Sequence, residues 1–148
     1  MRTLLRSAIV LVLLAVGGCA GVGAPTTSYT FDPRVNFAEW KTYRWIEAKP
    51  FGRRDALMEA NVRFLADRAL QAKGVAQQWD KSDLILWMEY KSTSKDYEVK
   101  DLTLSFTLPE GSSPVWRGQA TGIVRTDAGS GALQSVVAEM LANFPPKK

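Results

Sequence analysis

A strict alternation of apolar and polar side chains between residues 102 and 108 is the strongest structural constraint in this sequence. Successive side chains of a strand point to opposite faces, so this spacing predicts a strand with one buried and one solvated face. The apolar positions are Leu102, Leu104, Phe106 and Leu108, and Thr103, Ser105 and Thr107 alternate with them. An apolar face must be covered, so the rest of the chain has to provide partner strands and a second layer.

Two amphipathic segments can provide that layer. The first follows Asp55, a residue type that caps helices, and ends at Gly74. The second lies near the end of the sequence, where Pro145 and Pro146 prevent its continuation. The apolar residues with helical spacing are Met58, Val62, Leu65, Ala66, Ala69 and Leu70 in the first, and Leu133, Val136, Val137, Met140, Leu141 and Phe144 in the second. This spacing predicts two helices that each bury one face.

Four further segments have the composition of strands. They are Tyr29–Phe31, Lys41–Ile46, Leu84–Tyr90 and Val115–Val124. Small residues on one face of the last segment, Ala120 among them, suit close approach by a helix, so we expect Ala120 to be buried. Short turns between consecutive strands favour antiparallel pairing. We therefore predict an α+β two-layer sandwich, with a mostly antiparallel sheet of about five strands and both helices on one face.

The first residues have the features of a bacterial signal peptide. Arg2 and Arg6 give a positive start, and Ala8–Gly18 is uncharged, mostly aliphatic and shorter than the roughly 20 residues that span a bilayer. The sequence Val16-Gly17-Gly18-Cys19 resembles a lipobox, in which cleavage precedes the cysteine and its thiol receives lipid. We predict a lipoprotein signal peptide over residues 1–18 and lipidation, including palmitate, at Cys19; a plain secretory signal or a membrane helix are the alternatives.

The predicted anchor leads into a short tether. Residues 19–28 are the lipidated cysteine and an uncharged, flexible linker, and residues 29–146 form a single α+β domain. In Gram-negative lipoproteins an aspartate after the lipidated cysteine retains the protein at the inner membrane. Here Ala20 occupies that position, so the resemblance implies the periplasmic face of the outer membrane.

The composition excludes several kinds of chemistry. The chain has no histidine and one cysteine, which excludes imidazole bases, histidine-ligated metals and an internal disulfide. Without Arg2 and Arg6, 17 basic residues stand against 15 acidic ones, a balance that does not favour nucleic acid as a partner. We therefore expect no catalytic residue, no metal site, no cofactor and no nucleic acid.

Six short motifs follow one another in an order that resembles a known family. They are Phe31-Asp32, the run from Phe37 to Trp45 with its Lys-Thr-Tyr-Arg-Trp end, Lys73-Gly74, Ser82–Leu86, Val115–Gly118 and Asn143–Pro146. With the lipobox, they resemble the bacterial lipoproteins that carry domain of unknown function 4136, over residues 28–146. The resemblance implies an envelope location and an α+β fold, and it implies no known reaction. One departure is Val75, where an aromatic residue often follows the glycine.

Three residues are candidates for contact with a partner. Trp87 points away from Leu84 and Leu86, so we expect it to be exposed if that face of the sheet is solvated. The alternative is that a loop or the tether covers it. Arg53 and Arg54 lie in a predicted loop, where they could bind phosphates of lipopolysaccharide or acidic peptidoglycan, or form an ordinary solvated rim.

Three functions fit these observations. The leading hypothesis is a non-enzymatic lipoprotein, anchored in the outer membrane, that binds an envelope protein, peptidoglycan or lipopolysaccharide or has a structural role. A carboxylate-based cell-wall hydrolase would use Asp80 and Asp83, although such residues before a strand more often cap a turn. A carrier of a small apolar ligand would need a cavity of about 300 Å³ between sheet and helices.

Overall fold

The computed structural model describes residues 24–147 of the chain. The signal peptide and the Cys19 lipidation site therefore lie outside the described residues. The elements are β1 (Thr26–Phe31), a 3₁₀ turn (Phe37–Glu39), β2 (Thr42–Trp45), β3 (Lys49–Phe51), α1 (Ala56–Gln71), β4 (Ala76–Gln77), β5 (Leu84–Ser92), β6 (Glu98–Thr107), β7 (Pro114–Arg125) and α2 (Ala132–Leu141). No helix within this range is long and apolar enough to cross a membrane.

The sheet has seven strands and is mixed. Its order is β1-β7-β6-β5-β2-β4, and β3 pairs with a further stretch of β5. The pairs that join β1, β7, β6 and β5 are antiparallel, whereas β2 and β3 run parallel to β5 and β4 runs parallel to β2. The α+β class is confirmed, and the predicted mostly antiparallel sheet of about five strands is roughly consistent with this sheet but not exact. The short parallel pairs are the difference: α1 connects β3 to β4 as a crossover, and such a connection leaves the strands that it joins parallel.

The first strand starts earlier than the sequence suggests. Thr26 pairs with Thr121 of β7, and the Thr27 hydroxyl donates a hydrogen bond to Glu139 of α2 at 3.0 Å. Residues 26–28, which we assigned to the tether, are therefore part of the folded domain. β-branched threonines suit a strand, and pairing with β7 outweighs the linker-like composition of this segment.

Both helices cover the same face of the sheet. α2 approaches β7 at Gly118, where a Cβ would lie 2.5 Å from the Trp116 ring and 3.2 Å from the Cβ of Met140. Only a residue without a side chain fits between them, which confirms the role of small residues on this face. Ala120 is fully buried on the same strand, also as expected.

Two carboxylates of α1 attach that helix to the sheet. Glu59 is buried and accepts a hydrogen bond from the Tyr90 hydroxyl at 2.7 Å. Two turns further along, Asp67 accepts hydrogen bonds from the Trp45 indole at 2.7 Å and from the Tyr43 hydroxyl. Desolvation raises the pKa of Tyr90 to about 12, so its hydroxyl stays protonated and remains a donor. The sequence pattern did not reveal these contacts, because a carboxylate on a helix is ordinarily solvated.

Candidate functional site

Trp87 lies on the outer face of the sheet, the face turned away from the helices. Our expectation that it is exposed is wrong, because only 8% of the residue is accessible. β3 pairs with β5 beside Trp87 and places the Lys49 ammonium 4.0 Å from the centroid of the tryptophan ring. The aliphatic part of a lysine can cover an aromatic ring in this way. Contact with a partner through Trp87 stays a prediction.

The row of side chains across the sheet from Trp87 contains two unusual polar groups. Trp87 pairs in register with Ser105, and Ser105 with Arg117. The Ser105 hydroxyl and the Nε of Arg117 are buried and have no hydrogen-bond partner among residues 24–147. Glu89 lies opposite Thr103, one row away from Arg117, and the two side chains form no ion pair among residues 24–147.

Arg53 and Arg54 both line a cleft of about 570 Å³ at one end of the sheet. We call it the Arg53 cleft. It is bounded by the start of α1, the β5–β6 loop and the β7–α2 loop. Its lining residues are Arg53, Arg54, Asp55, Ala56, Leu57, Met58, Asn61, Asp96, Tyr97, Thr126, Asp127 and Ala128.

The two arginines of this cleft have different roles. Arg54 donates to the buried Glu59 at 2.8 Å and to Glu47 at 2.7 Å, and the hydrogen bond to Glu59 is the main reason why its pKa is raised. Arg54 therefore links the first turn of α1 to Glu47 and stabilises the position of the helix. In the part of the chain that the structure describes, Arg53 forms only an exposed ion pair with Asp96 at 3.0 Å, and exposed pairs contribute little to stability. Arg53 is therefore the arginine that is available for a ligand.

Asp80 and Asp83 have different surroundings in the structure. The Asp83 carboxylate accepts hydrogen bonds from the backbone amides of Lys41 and Thr42 at 2.8 and 2.9 Å, and from the Thr42 hydroxyl at 2.9 Å. Asp80 is exposed. Asp83 thus joins the starts of β2 and β5, as a turn-capping aspartate does. These contacts give the hydrolase alternative no support.

The Asp83 contacts predict a pH dependence of stability. Backbone donation from Lys41 is the main reason why the pKa of Asp83 is lowered, so this contribution is complete above the unfolded-state pKa of about 3.9 and is lost as the pH falls. We expect Asp83→Asn to cost about 1 kcal/mol at pH 7 and much less at pH 2 to 3. Urea unfolding across this range measures the difference. Asp80→Asn is the matched control, and an equal cost for both variants at pH 7 would contradict the assignment.

The space between sheet and helices is filled by aromatic rings. Phe144, which follows α2, stacks on Phe106 with ring centroids 4.2 Å apart, and Trp116 lies edge-on to it at 5.3 Å. Tyr43 packs against Phe106 at 6.2 Å. Such packing gives the apolar-carrier alternative no support. Within residues 24–147 there is also no cluster of three or more side chains that could hold a metal ion.

Comparisons with solved structures show the same fold in other bacterial proteins. A PelC dodecamer from Paraburkholderia phytofirmans has a TM-score of 0.59 at 14% identity, with 84% of this chain and 99% of that chain covered. A DUF4136 family protein from Bacteroides thetaiotaomicron VPI-5482 has a TM-score of 0.61 at 14% identity, with coverages of 82% and 96%. A PDZ domain protein from Parabacteroides distasonis has a TM-score of 0.56 at 15% identity, with coverages of 85% and 36%. At such identities the likeness concerns the fold alone.

The sequence itself is matched by one family model. None of the curated proteins matches the chain significantly. Residues 27–146 match the model described as "Domain of unknown function (DUF4136)". The match starts one residue after β1 begins and ends just after the aromatic core is closed by Phe144. Since the match covers most of the chain, and as the order of its motifs predicts, the protein belongs to the DUF4136 family.

Proposed function

We propose that this DUF4136 protein is a lipoprotein held on the periplasmic face of the outer membrane by acyl chains on Cys19, with a non-enzymatic binding or structural role in the cell envelope. The observation that carries the proposal is the lipobox: an uncharged, mostly aliphatic stretch is followed by Val16-Gly17-Gly18-Cys19, which contains the sole cysteine of the chain. Several acyl chains, at about 0.8 kcal/mol for each buried CH₂ group, anchor a protein stably.

The start of the folded domain fits a membrane-bound protein. β1 begins at Thr26, seven residues after Cys19. An extended chain covers at most about 3.6 Å per residue, so the anchor lies within about 25 Å of the first strand. The proposed tether therefore keeps the domain next to the bilayer, where a binding partner belongs to the envelope.

Arg53 supports a binding role. Its only partner among residues 24–147 is Asp96, and both side chains are mostly exposed, at 67% and 77%. An anionic group of peptidoglycan, lipopolysaccharide or an envelope protein can replace such a weak partner and gain a planar, two-pronged hydrogen bond. The carboxylate singled out for hydrolysis, Asp83, is engaged by backbone amides, so a binding role is favoured over an enzymatic one.

The lipid anchor is tested by Cys19→Ser, which removes the thiol that must receive the lipid. We expect complete loss of radiolabelled palmitate incorporation in growing cells, because the serine hydroxyl is a much poorer nucleophile. Ala20→Ser is the matched control and should label as the parent does. A Cys19→Ser protein that still labels would overturn the proposal.

The proposed membrane is tested by separating inner and outer membranes on a density gradient. The parent protein should sediment with the outer membrane. Ala20→Asp places an aspartate after the lipidated cysteine and should move the protein to the inner membrane. A parent protein found mainly in the inner membrane would contradict the outer-membrane location while leaving lipidation intact.

A further inference from the structure

We propose that one end of this domain, formed by Phe51, Leu57 and Tyr97 around the Arg53 cleft, lies against the phospholipid surface that holds the anchor. We call it the docking end. The inference rests on the proposed lipidation of Cys19. It adds the orientation of the domain, which contacts the bilayer through these side chains.

The docking end exposes large apolar side chains. Phe51, Leu57 and Tyr97 have exposed fractions of 58%, 66% and 59%. Leu57 and Tyr97 line the Arg53 cleft, whereas Phe51 lies opposite Lys91 near the end of β5 and lines a neighbouring depression. Exposed apolar residues are ordinary when scattered, but their occurrence together at one end of the sheet indicates a surface that meets an apolar environment.

Tyr97 is held in an unusual conformation at the tip of this end. Its φ of 58° lies in the left-handed region, which bulky residues rarely adopt. Its carbonyl accepts a hydrogen bond from the Thr126 amide at 2.9 Å, so the residue is tied to the β7–α2 loop. The structure thus maintains an exposed tyrosine in a costly conformation, and tyrosine, with an apolar ring and a polar hydroxyl, suits the membrane interface.

The strand register turns the docking end toward the anchor. Thr26, the first residue of β1, pairs with Thr121, and β7 continues from there to Arg125, which pairs with Glu98 beside Tyr97. Four strand residues extend about 13 Å. The seven residues from Cys19 to Thr26 reach up to about 25 Å, so the acyl chains can lie level with Tyr97.

The opposite end of the sheet is much farther from the anchor. Trp79, the most exposed large apolar residue at 86%, precedes β5, whereas Tyr97 follows it. β5 has nine residues and is therefore about 30 Å long. Trp79 is therefore a control for exposure alone. It is more exposed than Tyr97, but it lies at the end of the sheet that we expect to face away from the bilayer.

Two exposed lysines of the docking end can contact an anionic lipid surface. Arginines compensate the neighbouring carboxylates only in part, because Asp96 pairs with Arg53 while Glu98 and Asp127 share Arg125. Lys95 and Lys100 are exposed and form no ion pair within the described part of the chain. Lysines beside a bilayer are attracted to anionic phospholipid.

The orientation is tested with the full lipidated protein in vesicles of phosphatidylethanolamine and phosphatidylglycerol. Since Cys19 carries the lipid, Tyr97→Cys and Trp79→Cys each introduce a single free thiol for the fluorophore NBD. At position 97 we expect a blue-shifted emission and loss of roughly half of it when nitroxide-labelled lipid is included, because the probe sits in the interface. At position 79 we expect emission as in water and no quenching.

Further variants keep the test decisive. Leu57→Cys, on the other wall of the cleft, should behave as Tyr97→Cys does, even if the backbone at position 97 relaxes. Replacing Lys95 and Lys100 by glutamine should reduce quenching at position 57, and neutral phosphatidylcholine vesicles should do the same.

The outcomes separate this inference from the proposed function. Protein that does not float with the vesicles means that the chain is not lipid-anchored, which overturns both. Protein that floats while positions 57 and 97 remain unquenched leaves lipidation standing and overturns the docking end. Quenching at position 79 instead, or protection of positions 57 and 97 only when an envelope protein extract is added, also overturns it, the latter in favour of a protein partner.

Discussion

Phe144→Ala should destabilise the domain by about 3–5 kcal/mol, the usual cost of truncating a buried phenylalanine. Phe144 is 2% exposed and stacks on Phe106 at 4.2 Å, with Trp116 and Phe37 edge-on at 5.3 and 6.0 Å. It follows α2 and closes the core between the sheet and the 3₁₀ turn. Alanine would leave a cavity that rigid rings on three sides cannot fill, so the full cost is expected.

Urea unfolding followed by circular dichroism measures this effect. The matched control is Phe64→Ala, because Phe64 lies on α1 with 60% of its surface exposed. The control should change the free energy of unfolding by no more than about 0.5 kcal/mol. Equal costs for the two variants would show that the segment after α2 does not close the core.

Trp87→Ala is the second substitution with a large expected effect, again about 3–5 kcal/mol. Trp87 is 8% exposed, and Lys49 lies over its ring at 4.0 Å. The substitution removes both the buried surface and this cation–π contact. Trp79→Ala is the matched control, since Trp79 is 86% exposed, and it should leave the unfolding transition nearly unchanged.

This measurement also decides the role of the outer face. A large loss of stability means that Trp87 is part of the fold, as its burial indicates. A Trp87→Ala protein as stable as the Trp79→Ala protein, but unable to associate with the envelope, would instead identify Trp87 as a contact residue. Thermal unfolding and co-fractionation with membranes distinguish the two results.

Local patterns in the sequence were sufficient to predict the two helices and the longest strands. The spacing of Met58, Val62 and Leu70 marked α1, and Asp55 does cap it, with its carboxylate accepting from the Met58 amide at 2.9 Å. Gly74 ends the helical segment with a φ of 77°, as a glycine after a helix commonly does. These features depend on residues close in the chain, so their physics is visible in a short window of sequence.

The short strands and the parallel pairings were not predictable in the same way. β3 and β4 have three and two residues, too few for any periodicity, and they exist because β5 and β2 offer free edges. Without β3, nothing in the sequence places Lys49 over Trp87. The expectation of an exposed tryptophan therefore failed for a reason that lies more than thirty residues away in the chain.

The sequence by itself determined the α+β class, the two helices with the Asp55 cap of the first, the family and the proposed lipidation site at Cys19, because each depends on composition, periodicity or a contiguous motif. Only the tertiary structure decided which side chains are free to act. In the folded domain Arg54 donates to the buried Glu59, whereas Arg53 forms a weak surface ion pair. Phe51, Leu57 and Tyr97 are exposed at the same end of the sheet. Burial and pairing depend on neighbours from distant segments, and strand register, which sets those neighbours, is a property of the assembled sheet.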